Sequence, residues 1–461
     1  MTLAHRFHPS ILREYDIRGR VGETLGAVDA EAIGRAFGTM IRRHGGERVC
    51  VGYDGRLSSP ELERALVQGL LETGLEVLRI GLGPTPMMYY AVHELGAHSG
   101  VQVTGSHNPP EYNGFKLVFD RKPFYGSQIR ALGDLAKAGA FVSGQGRVRE
   151  RRVLDSYVKR LLADFTGGRP VDAVWDAGNG AAGPAMERLA AQLPGRHLCL
   201  FAEVDGRFPN HHPDPTVVEN LEILRARVRE EGVEVGIAFD GDGDRIGVVD
   251  GKGRVIFGDQ ILMILARDLL RRRPGATIIA DVKASQLLFD DIARHGGRPL
   301  MWKTGHSLIK AKMAEVDAPL AGEMSGHIFY RDRFYGHDDA LYVAVRLLDV
   351  LARSERTLAE IRDSLPEVHN TPEIRFPCPE EDKFRLIAEL KRRLEEEGAE
   401  FSDIDGVRVR RPDGWWLLRA SNTQPVLVAR AEAESPEGLE RLKAEIRSYL
   451  ERLGLTAPAD L

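Results

Sequence analysis

The feature that most restricts the fold of this sequence is an apolar run that ends at an aspartate and leads into a helical pattern, three times over. The runs cover 49–53, 174–175 and 278–280, and they end at Asp54, Asp176 and Asp281. Helix-like patterns follow at 61–72, 181–192 and 285–295. A buried strand that stops just before a helix is typical of α/β architecture, and a spacing of about 100 residues is a usual domain length. The pattern therefore predicts three related α/β units.

The domain boundaries follow from length and from breaks in the pattern. A chain of 461 residues is too long for one hydrophobic core. Seams lie at the polar stretch 143–152, at the Gly-containing stretch 251–254 and at 365–379, which contains Pro366, Pro372 and Pro377. The predicted domains are 1–152, 153–254, 255–367 and 368–461. The last one begins and ends with a helix, with strands between them, which predicts a small α+β domain.

Charge and cysteine usage limit the possible partners. Lysine and arginine number 63 against 68 acidic residues, so no global basic field attracts nucleic acid or a membrane surface. Cys50, Cys199 and Cys378 are far apart and odd in number, unlike a disulfide framework. The opening residues lack a long apolar segment, and no run approaches a membrane span. We expect a cytoplasmic protein without nucleic acid or membrane partners.

A serine in a constrained loop is the first candidate for chemistry. Ser106 lies in the segment TGSHNPP between strand-like 99–103 and 115–119. Gly105 relieves steric limits on the backbone and the two prolines stiffen the exit, so the hydroxyl is held at a tight turn. A polar turn without function is the alternative reading. A serine-hydrolase elbow is a poor match, because Asn108 occupies the second glycine position.

Three aspartates alternate with glycines directly after the apolar run 235–239. Asp240, Asp242 and Asp244 can direct their oxygens onto one small hard cation, and without a cation their charges repel each other. An EF-hand would need glycine and glutamate where Arg245 and Gly251 stand. A solvated acidic turn remains the alternative to a metal site.

Two further polar loops have residue types that suit hydroxyl groups in one case and phosphate in the other. Glu323 and Ser325, in GEMSGH, are two residues apart and can face paired hydroxyls in an extended segment. The segment RASNTQP at 419–425 offers a guanidinium and three small hydrogen-bonding side chains, a suitable cradle for phosphate. Each loop taken alone is equally compatible with a plain turn.

Taken together and in this order, the four loops resemble those of the α-D-phosphohexomutase family. The match extends from EYDIRG at 14–19 to the loop at 419–425, nearly the whole chain. Within the family, TGSHNPPEYNGFK, GEMSGH and RASNTQP are similar to the bacterial phosphomannomutase/phosphoglucomutase branch. Phosphoglucosamine mutases usually have GEQSGH-like and RPSGTEP-like loops, and glucose-restricted mutases tend to have GEESAG.

The resemblance implies a fold and an activity. The fold is three topologically related α/β domains with mixed sheets and a C-terminal α+β domain, similar to the TATA-binding protein, around a central cleft. The activity is the reversible interconversion of hexose 1-phosphate and hexose 6-phosphate through a phosphoserine and a hexose 1,6-bisphosphate. One Mg²⁺ per chain, activation by glucose 1,6-bisphosphate, hexose phosphates as the partners, and a monomer or weak dimer are also implied.

The resemblance also implies residue roles. Ser106 carries the phosphate and, with Asp240, Asp242 and Asp244, holds the cation. The other implied catalytic residues are Arg18, His107, Lys116, Arg245, His306 and His327. Lys116, His306 and His327 are the candidates for the general acid and base. The implied substrate-binding residues are Tyr15, Lys283, Glu323, Ser325, Arg419, Ser421, Asn422 and Thr423.

Three alternatives stay open at this point. Phosphoglucosamine mutase is the rival within the same family. A metal-dependent sugar phosphatase is a rival from another class, because aspartate clusters serve those enzymes too. A sugar-phosphate sensor without activity is the third, although no residue of the four loops is visibly disabled.

Overall fold

A computed structural model describes residues 4–422 and 424–461, and its strands form four separate sheets. Thr423, predicted to bind substrate, lies outside the described residues. Among the described helices, none has both the length and the hydropathy to cross a bilayer.

The first sheet has seven strands in the order β1-β5-β4-β2-β3-β7, with β6 beside β5. The strands are β1 (Ile17–Arg20), β2 (Arg48–Tyr53), β3 (Glu76–Leu82), β4 (Ser99–Val103), β5 (Tyr112–Phe119), β6 (Lys122–Pro123) and β7 (Arg147–Glu150). The helices are α1 (Ala27–Arg43), α2 (Ser59–Leu71), α3 (Thr85–Glu94) and α4 (Ser127–Ala138).

The second and third sheets are smaller, with the orders β12-β11-β10-β8-β9 and β14-β13-β15-β16. The second unit contains α5 (Leu154–Leu162), β8 (Ala173–Asp176), α6 (Gly183–Ala190), β9 (His197–Leu200), a 3₁₀ turn (Val218–Leu221), α7 (Glu222–Glu231), β10 (Val235–Phe239), β11 (Ile246–Asp250) and β12 (Val255–Ile256). The third contains α8 (Gly258–Arg272), β13 (Thr277–Asp281), α9 (Gln286–Arg294), β14 (Arg298–Trp302), α10 (His306–Val316), β15 (Leu320–Gly322), β16 (Ile328–Tyr330), α11 (Ala340–Ala352) and α12 (Leu358–Asp363).

All three units share one four-stranded motif. The orders β3-β2-β4-β5, β9-β8-β10-β11 and β14-β13-β15-β16 are equivalent. In each motif three strands are parallel and the fourth runs antiparallel. The prediction of three topologically related α/β domains with mixed sheets is therefore confirmed.

The three aspartates of the repeated pattern stand at the carboxyl end of the central strand of each motif. Asp54 Oδ2 accepts hydrogen bonds from Thr104 Oγ1 at 2.8 Å and from the Gly105 amide at 3.1 Å. Asp281 Oδ1 accepts one from the Met324 amide at 3.1 Å. In these two units the aspartate ties down the loop that follows the neighbouring strand. The equivalent loops hold Ser106 after β4, Asp240 after β10 and Glu323 after β15.

The fourth domain has a sheet in the order β17-β22-β21-β20-β19, with β18 also paired to β22. Its elements are β17 (His369–Asn370), β18 (Ile374–Pro377), α13 (Lys383–Glu396), β19 (Phe401–Ser402), β20 (Val407–Arg411), β21 (Gly414–Ala420), β22 (Val426–Ala433) and α14 (Pro436–Arg452). The α+β prediction is confirmed. The proline-rich seam contains two strands, β17 and β18, because an edge segment tolerates Pro377.

Helices α1 and α2 pack with almost no space between their backbones. A Cβ atom added at Gly34 would stand 2.3 Å from the Leu66 carbonyl oxygen, and one at Gly69 would stand 2.1 Å from the Glu31 carbonyl oxygen. Both contacts are to backbone, which cannot swing aside. Glycine at these two positions therefore permits the packing of the first domain's helix layer.

We predict that Gly69→Ala destabilises the first domain, because overpacking of this kind costs about 1–3 kcal/mol. The midpoint of the first thermal transition should fall by about 5 °C in circular dichroism. Arg64→Ala, an exposed position on α2, is the control and should leave the midpoint in place. An unchanged midpoint for Gly69→Ala would contradict the described packing.

Candidate active site

The predicted loops meet in one cleft of about 690 Å³. Side chains from all four domains line this cleft. The predicted residues on its wall are Tyr15, Arg18, Ser106, His107, Lys116, Arg245, Lys283, His306, Glu323, Ser325, His327, Arg419, Ser421 and Asn422. The three aspartates lie just behind the wall and are fully buried.

Ser106 stands at the junction between the first and second domains. Its backbone has a φ of +49°, and its side chain is buried. Its Oγ donates to Asp240 Oδ2 at 3.0 Å and lies 3.3 Å from His107 Nδ1. Burial and then Arg245 hold the pKa of His107 well below its ordinary value. The serine hydroxyl is thus in direct contact with the acidic cluster.

The loop around Ser106 is held by a buried arginine that the sequence patterns did not reveal. Arg56 donates to the carbonyl oxygens of Ser106, Asn108, Pro109 and Tyr112 at 2.6–3.0 Å. Asp54 lies 3.2 Å from Arg56 Nε and offsets the charge. In the sequence, an arginine after an Asp-Gly pair is typical of an ordinary turn. Only the tertiary contacts show that Arg56 acts as a clamp on the serine loop.

A second support comes from the second domain. His212 Nε2 donates to the His107 carbonyl oxygen at 2.5 Å, and the Pro213 carbonyl oxygen accepts from the Gly241 amide at 3.2 Å. The same segment places Phe208 beside Arg56, with 5.3 Å from the guanidinium carbon to the ring centre. These contacts fix the serine loop and the aspartate loop to each other.

The acidic trio has the donor set of a hard divalent cation. Its three carboxylates each offer an oxygen, and those oxygens lie within 4.8 Å of one another. Among the described residues, Asp242 Oδ1 and Asp244 Oδ1 are buried with no hydrogen-bond partner. Buried carboxylate oxygens left without donors are costly unless a cation binds them. The residues present therefore fit a metal centre.

The negative charges of the three aspartates require positive charge from residues outside the trio. Burial, followed by the charges of Asp242 and Asp244, raises the pKa of Asp240 well above its ordinary value. Lys116 Nζ donates to Asp242 Oδ2 at 2.8 Å and also to Asp244. Burial alone would lower the pKa of Lys116, but these carboxylates raise it well above its ordinary value. The amine is therefore committed to the trio in this state.

A threonine at the start of α3 also contacts the trio. No motif in the sequence predicted it. The Thr85 hydroxyl donates to Asp242 Oδ2, and its amide donates to the Asp242 carbonyl oxygen at 2.8 Å. The helix N-terminus adds a partial positive charge. With Lys116 and Thr85 on Oδ2, the other oxygen of Asp242 is left to face a cation.

Two histidines stack beside the trio. The rings of His306 and His327 are 5.6 Å apart at an angle of 22°. His327 Nε2 accepts from Arg245 Nε at 2.9 Å. Burial and then Lys310 hold the pKa of His306 well below its ordinary value, so its ring is neutral near pH 7. Both imidazoles lie on the cleft wall.

The loop that contains Glu323 and Ser325 is preorganised around the glutamate. Glu323 Oε1 accepts from the Gly305 amide at 2.5 Å, and Oε2 accepts from Ser325 Oγ at 3.0 Å. The side chain is buried except on the cleft side. Two carboxylate oxygens held in this way present fixed acceptors to a polyhydroxylated ligand.

The loop that contains Arg419 and Asn422 is tied to the first and third domains. Arg419 Nε donates to Asp405 Oδ2 at 3.0 Å, and the same oxygen accepts from the Thr304 amide. Asn422 Nδ2 donates to Tyr15 Oη at 2.6 Å, and Tyr15 donates to the Thr304 carbonyl oxygen at 3.0 Å. Arg419, Asn422 and Tyr15 are thus brought together on the cleft wall.

Lys283 lies on the cleft wall and contacts the fourth domain. Its Nζ donates to Glu373 Oε2 at 2.8 Å. Arg375 Nε donates to the other oxygen of Glu373 at 2.7 Å. Burial opposes ionisation of Glu373, but Lys283 and Arg375 hold its pKa below the ordinary value. Glu373 and Arg375 extend the polar lining of the cleft. The sequence did not predict either of them as a site residue, because the segment 365–379 was interpreted as a domain boundary.

Four family profiles match successive parts of the chain. They are phosphoglucomutase/phosphomannomutase alpha/beta/alpha domain I at 9–140, domain II at 155–253, domain III at 257–369 and the C-terminal domain at 373–448. A four-domain fold with a serine, an acidic trio and an arginine loop on one cleft defines the class of phosphohexomutases, which are isomerases that transfer phosphate within a sugar.

Curated and solved proteins agree with the profiles. The chain is 47% identical over 449 residues to a phosphomannomutase/phosphoglucomutase of Pseudomonas aeruginosa, covering 97% of each chain. It is 44% identical to a phosphoglucomutase of Neisseria gonorrhoeae, covering 96% of each. A solved phosphoglucomutase/phosphomannomutase family protein of Burkholderia thailandensis has 46% identity and a TM-score of 0.93, covering 98% of this chain and 99% of that one.

The chain belongs to the phosphoglucomutase/phosphomannomutase family. The predicted family, fold class and enzyme class are confirmed. The predicted role of each site residue remains a prediction, and so do the domain boundaries at 152, 254 and 367. Val255–Ile256 pairs with β11 of the second sheet, just past the boundary predicted at 254.

We predict that Arg56→Lys lowers kcat about 100-fold, because a lysine cannot reach four carbonyl oxygens at once and the serine loop shifts. Steady-state mutase kinetics measure it. Arg79→Lys, which alters a half-buried arginine paired with Glu63 in the same domain, is the matched control and should keep kcat within about twofold. Equal kcat in both variants would contradict the clamp.

We predict that Thr85→Val weakens binding of a divalent cation about 10-fold, the usual cost of removing a group that orients a metal ligand. Calorimetric titration of the purified protein measures the affinity directly. The control is Thr73→Val, because Thr73 is similarly buried and, among the described residues, its hydroxyl donates only to the Leu70 carbonyl oxygen. An unchanged affinity of Thr85→Val for the cation would show that the Thr85 hydroxyl is not needed to orient Asp242.

Proposed function

We propose that the chain interconverts hexose 1-phosphates and hexose 6-phosphates, as a phosphomannomutase/phosphoglucomutase, through phosphorylated Ser106 and a hexose 1,6-bisphosphate. The observation that carries the proposal is the 3.0 Å contact between Ser106 Oγ and Asp240 Oδ2, at the head of a cleft shared by four domains. A serine hydroxyl beside a cation-binding trio is suited to phosphoryl transfer, in which positioning and charge stabilisation do most of the catalysis.

Mg²⁺ is the proposed cation, one per chain. Asp240, Asp242, Asp244 and Ser106 would hold it, since all four offer the oxygen ligands that hard cations prefer. When bound, it offsets negative charge on the transferring phosphoryl group. Arg18, His107 and Arg245 add positive or hydrogen-bonding groups on the same side of the cleft.

The substrate's own phosphate is proposed to bind at the opposite end. Arg419, Ser421 and Asn422 line that end, and Thr423 is predicted to complete the loop. Glu323 and Ser325 are proposed to bind sugar hydroxyls, with Tyr15 and Lys283 beside them. A ligand with one phosphate at each end therefore meets cations at both ends of the cleft.

The reaction is proposed to run in two symmetric halves. A free sugar hydroxyl attacks the phosphorus on Ser106, the bond from phosphorus to Ser106 Oγ breaks, and the hydroxyl proton passes to a base. The bisphosphate then turns end for end, and the second half returns a phosphate to Ser106. A cavity of 690 Å³ leaves room for that rotation. Glucose 1,6-bisphosphate would activate the enzyme by phosphorylating Ser106.

Among the three candidates for proton transfer, geometry favours His327. The Lys116 amine is occupied by Asp242 and Asp244. His306 lies next to His327 but farther from the trio's ligands, whereas His327 Nδ1 is 3.6 Å from Asp244 Oδ1. We therefore assign His327 as the group that takes and returns the proton.

The remaining expectations accompany this proposal. Cys50 and Cys378 are buried free thiols, which supports a reducing, cytoplasmic location. Hexose phosphates are the proposed partners, with a monomer or weak dimer as the assembly. Domains at 1–152, 153–254, 255–367 and 368–461 remain the proposed division.

We predict that intact-mass analysis shows wild-type protein gaining one phosphate from glucose 1,6-bisphosphate with magnesium, located on Ser106. Ser106→Ala should gain none and should lose mutase activity, because no other hydroxyl contacts the trio's Asp240 in the described structure. Ser156→Ala is the control and should still accept phosphate, because the Ser156 hydroxyl bonds the Val153 carbonyl oxygen and does not line the cleft. Full turnover by Ser106→Ala would overturn the covalent role.

The same samples separate the rival functions. A sugar phosphatase would release inorganic phosphate in proportion to substrate consumed, whereas a mutase releases almost none. Comparison of kcat/KM for mannose 1-phosphate and glucosamine 1-phosphate distinguishes the phosphoglucosamine mutase alternative. Any turnover excludes a sensor without activity.

A further inference from the structure

Arg419 is held by an acidic residue that is not part of the cleft lining. Asp405 lies between β19 and β20 of the fourth domain, and its Oδ2 accepts from Arg419 Nε at 3.0 Å. Only 12% of the Asp405 side chain is exposed, and 6% of that of Arg419. Burial opposes the charge of Arg419, but Asp405 holds the pKa of the guanidinium above its ordinary value. The two side chains therefore form a shielded pair behind the cleft wall.

The turn that carries Asp405 packs directly against the strand that carries Arg419. Gly406 has a φ of +76°, and a Cβ atom added there would stand 2.5 Å from Arg419 Cβ and from the Leu418 carbonyl oxygen. Glycine permits this close approach of the turn to the backbone of β21. The carboxylate thus has a fixed position relative to the guanidinium.

The same carboxylate oxygen also binds the third domain. Oδ2 of Asp405 accepts from the Thr304 amide at 3.0 Å, so one atom joins Arg419 to the segment 304–305. The next amide along the chain, that of Gly305, donates to Glu323 Oε1 at 2.5 Å. Two consecutive peptide groups therefore connect Arg419 with Glu323, and both of these side chains line the cleft.

The segment 304–305 is itself held by two further hydrogen bonds. The Thr304 hydroxyl donates to Asp281 Oδ2 at 3.1 Å, and the Thr304 carbonyl oxygen accepts from Tyr15 Oη at 3.0 Å. Asp281 is fully buried at the end of β13. The segment is thus a fixed reference point between the loops of Arg419 and Glu323.

We propose that Asp405 is a positioning residue: it orients the Arg419 guanidinium toward the substrate's phosphate and sets its distance from Glu323. This inference rests on the proposed function, in which Arg419 binds that phosphate and Glu323 binds sugar hydroxyls. With Nε bound to Asp405, the two terminal nitrogens of the guanidinium bind the phosphate. The phosphate and the hydroxyl groups of one sugar are then bound at a fixed spacing.

Two other roles for Asp405 make different predictions. A carboxylate that competes with phosphate for Arg419 would weaken substrate binding, so its removal would lower KM. A carboxylate that only joins two domains would affect thermal stability and would act independently of Arg419. The hydrogen bond to Nε favours positioning, because a competing carboxylate is expected at the terminal nitrogens, which form the fork that phosphate prefers.

The first test compares Asp405→Ala with Asp403→Ala in steady-state kinetics with glucose 1-phosphate. We expect Asp405→Ala to raise KM about 10-fold and to change kcat less than about threefold, because a remote phosphate contact stabilises substrate and transition state alike. Asp403 lies in the same turn and bonds Lys391 on the surface, so Asp403→Ala should keep both constants within about twofold. An unchanged or lower KM for Asp405→Ala would overturn the proposal.

A double-mutant cycle shows whether Asp405 acts through Arg419. In Arg419→Ala protein, the further change Asp405→Ala should alter kcat/KM less than about twofold, against about 10-fold or more when Arg419 is present. Equal effects in both backgrounds would make Asp405 a structural residue and would contradict positioning.

Asp405→Asn is the conservative variant, and it keeps the proposal testable even where Asp405→Ala fails to fold. Its amide oxygen can still accept from Arg419 Nε and from the Thr304 amide, so we expect KM within about threefold of the wild type. A KM raised about 10-fold in Asp405→Asn would show that the shared hydrogen-bond acceptor does not position Arg419.

Phosphate uptake separates this proposal from the proposed function. Wild-type protein and Asp405→Ala, each incubated with glucose 1,6-bisphosphate and magnesium, should both reach one phosphate per chain in intact-mass analysis. Failure of the wild type to gain phosphate would be failure of the mutase proposal. Uptake in both with equal KM would leave the mutase intact and remove Asp405 from substrate binding.

Discussion

A cluster of three buried carboxylates, one of them hydrogen-bonded to a serine hydroxyl, is the constraint on which the rest of the structure depends. Like charges at this spacing cannot stay ionised together without nearby positive charge. The second domain supplies the aspartates, but Lys116 and Thr85, which partner Asp242, come from the first. Docking of these two domains is therefore a condition for a working trio. Arg56 from the first domain and His212 from the second hold carbonyl oxygens of the serine loop and so position it against the trio.

Repetition of one motif explains how the site is assembled from distant parts of the chain. Each α/β unit has the same strand order, so the loop after its third strand leaves the sheet at the same edge. Those three loops carry Ser106, the aspartate trio and Glu323. One topology used three times thus places Ser106, the aspartate trio and Glu323 on rigid strand ends beside one cleft. The fourth domain adds the loop of Arg419 from a different fold.

Residues with a local signature were predictable, and residues that act through tertiary contacts were not. The aspartate-ended strands, the shared α/β units and the α+β end followed from periodicity and turn residues. The loops of Ser106, Asp240, Glu323 and Arg419 were found because each combines several chemical groups within a few positions. Arg56 and Thr85 each stand alone in sequence, and the Ser106 and Asp242 groups that they contact are 50 and 157 residues away in the chain. The short strands in the proline-rich seam were hidden because pairing with β22, not local propensity, forms them.

The cationic side chains of the cleft have different kinds of partner, and this bears on the proposal that the substrate binds in two orientations. Near the serine, Arg56 and Lys116 are buried and hydrogen-bonded to carbonyl oxygens of the serine loop and to the aspartates of the trio. Arg419 is equally buried and donates from Nε to Asp405, and a guanidinium with five N–H donors can also bind a phosphate. In the proposed reaction, the reacting phosphate would therefore meet the same frame around Ser106 in both halves. The other phosphate would meet Arg419 in either orientation of the sugar, because a guanidinium recognises the phosphate and not the carbon that carries it.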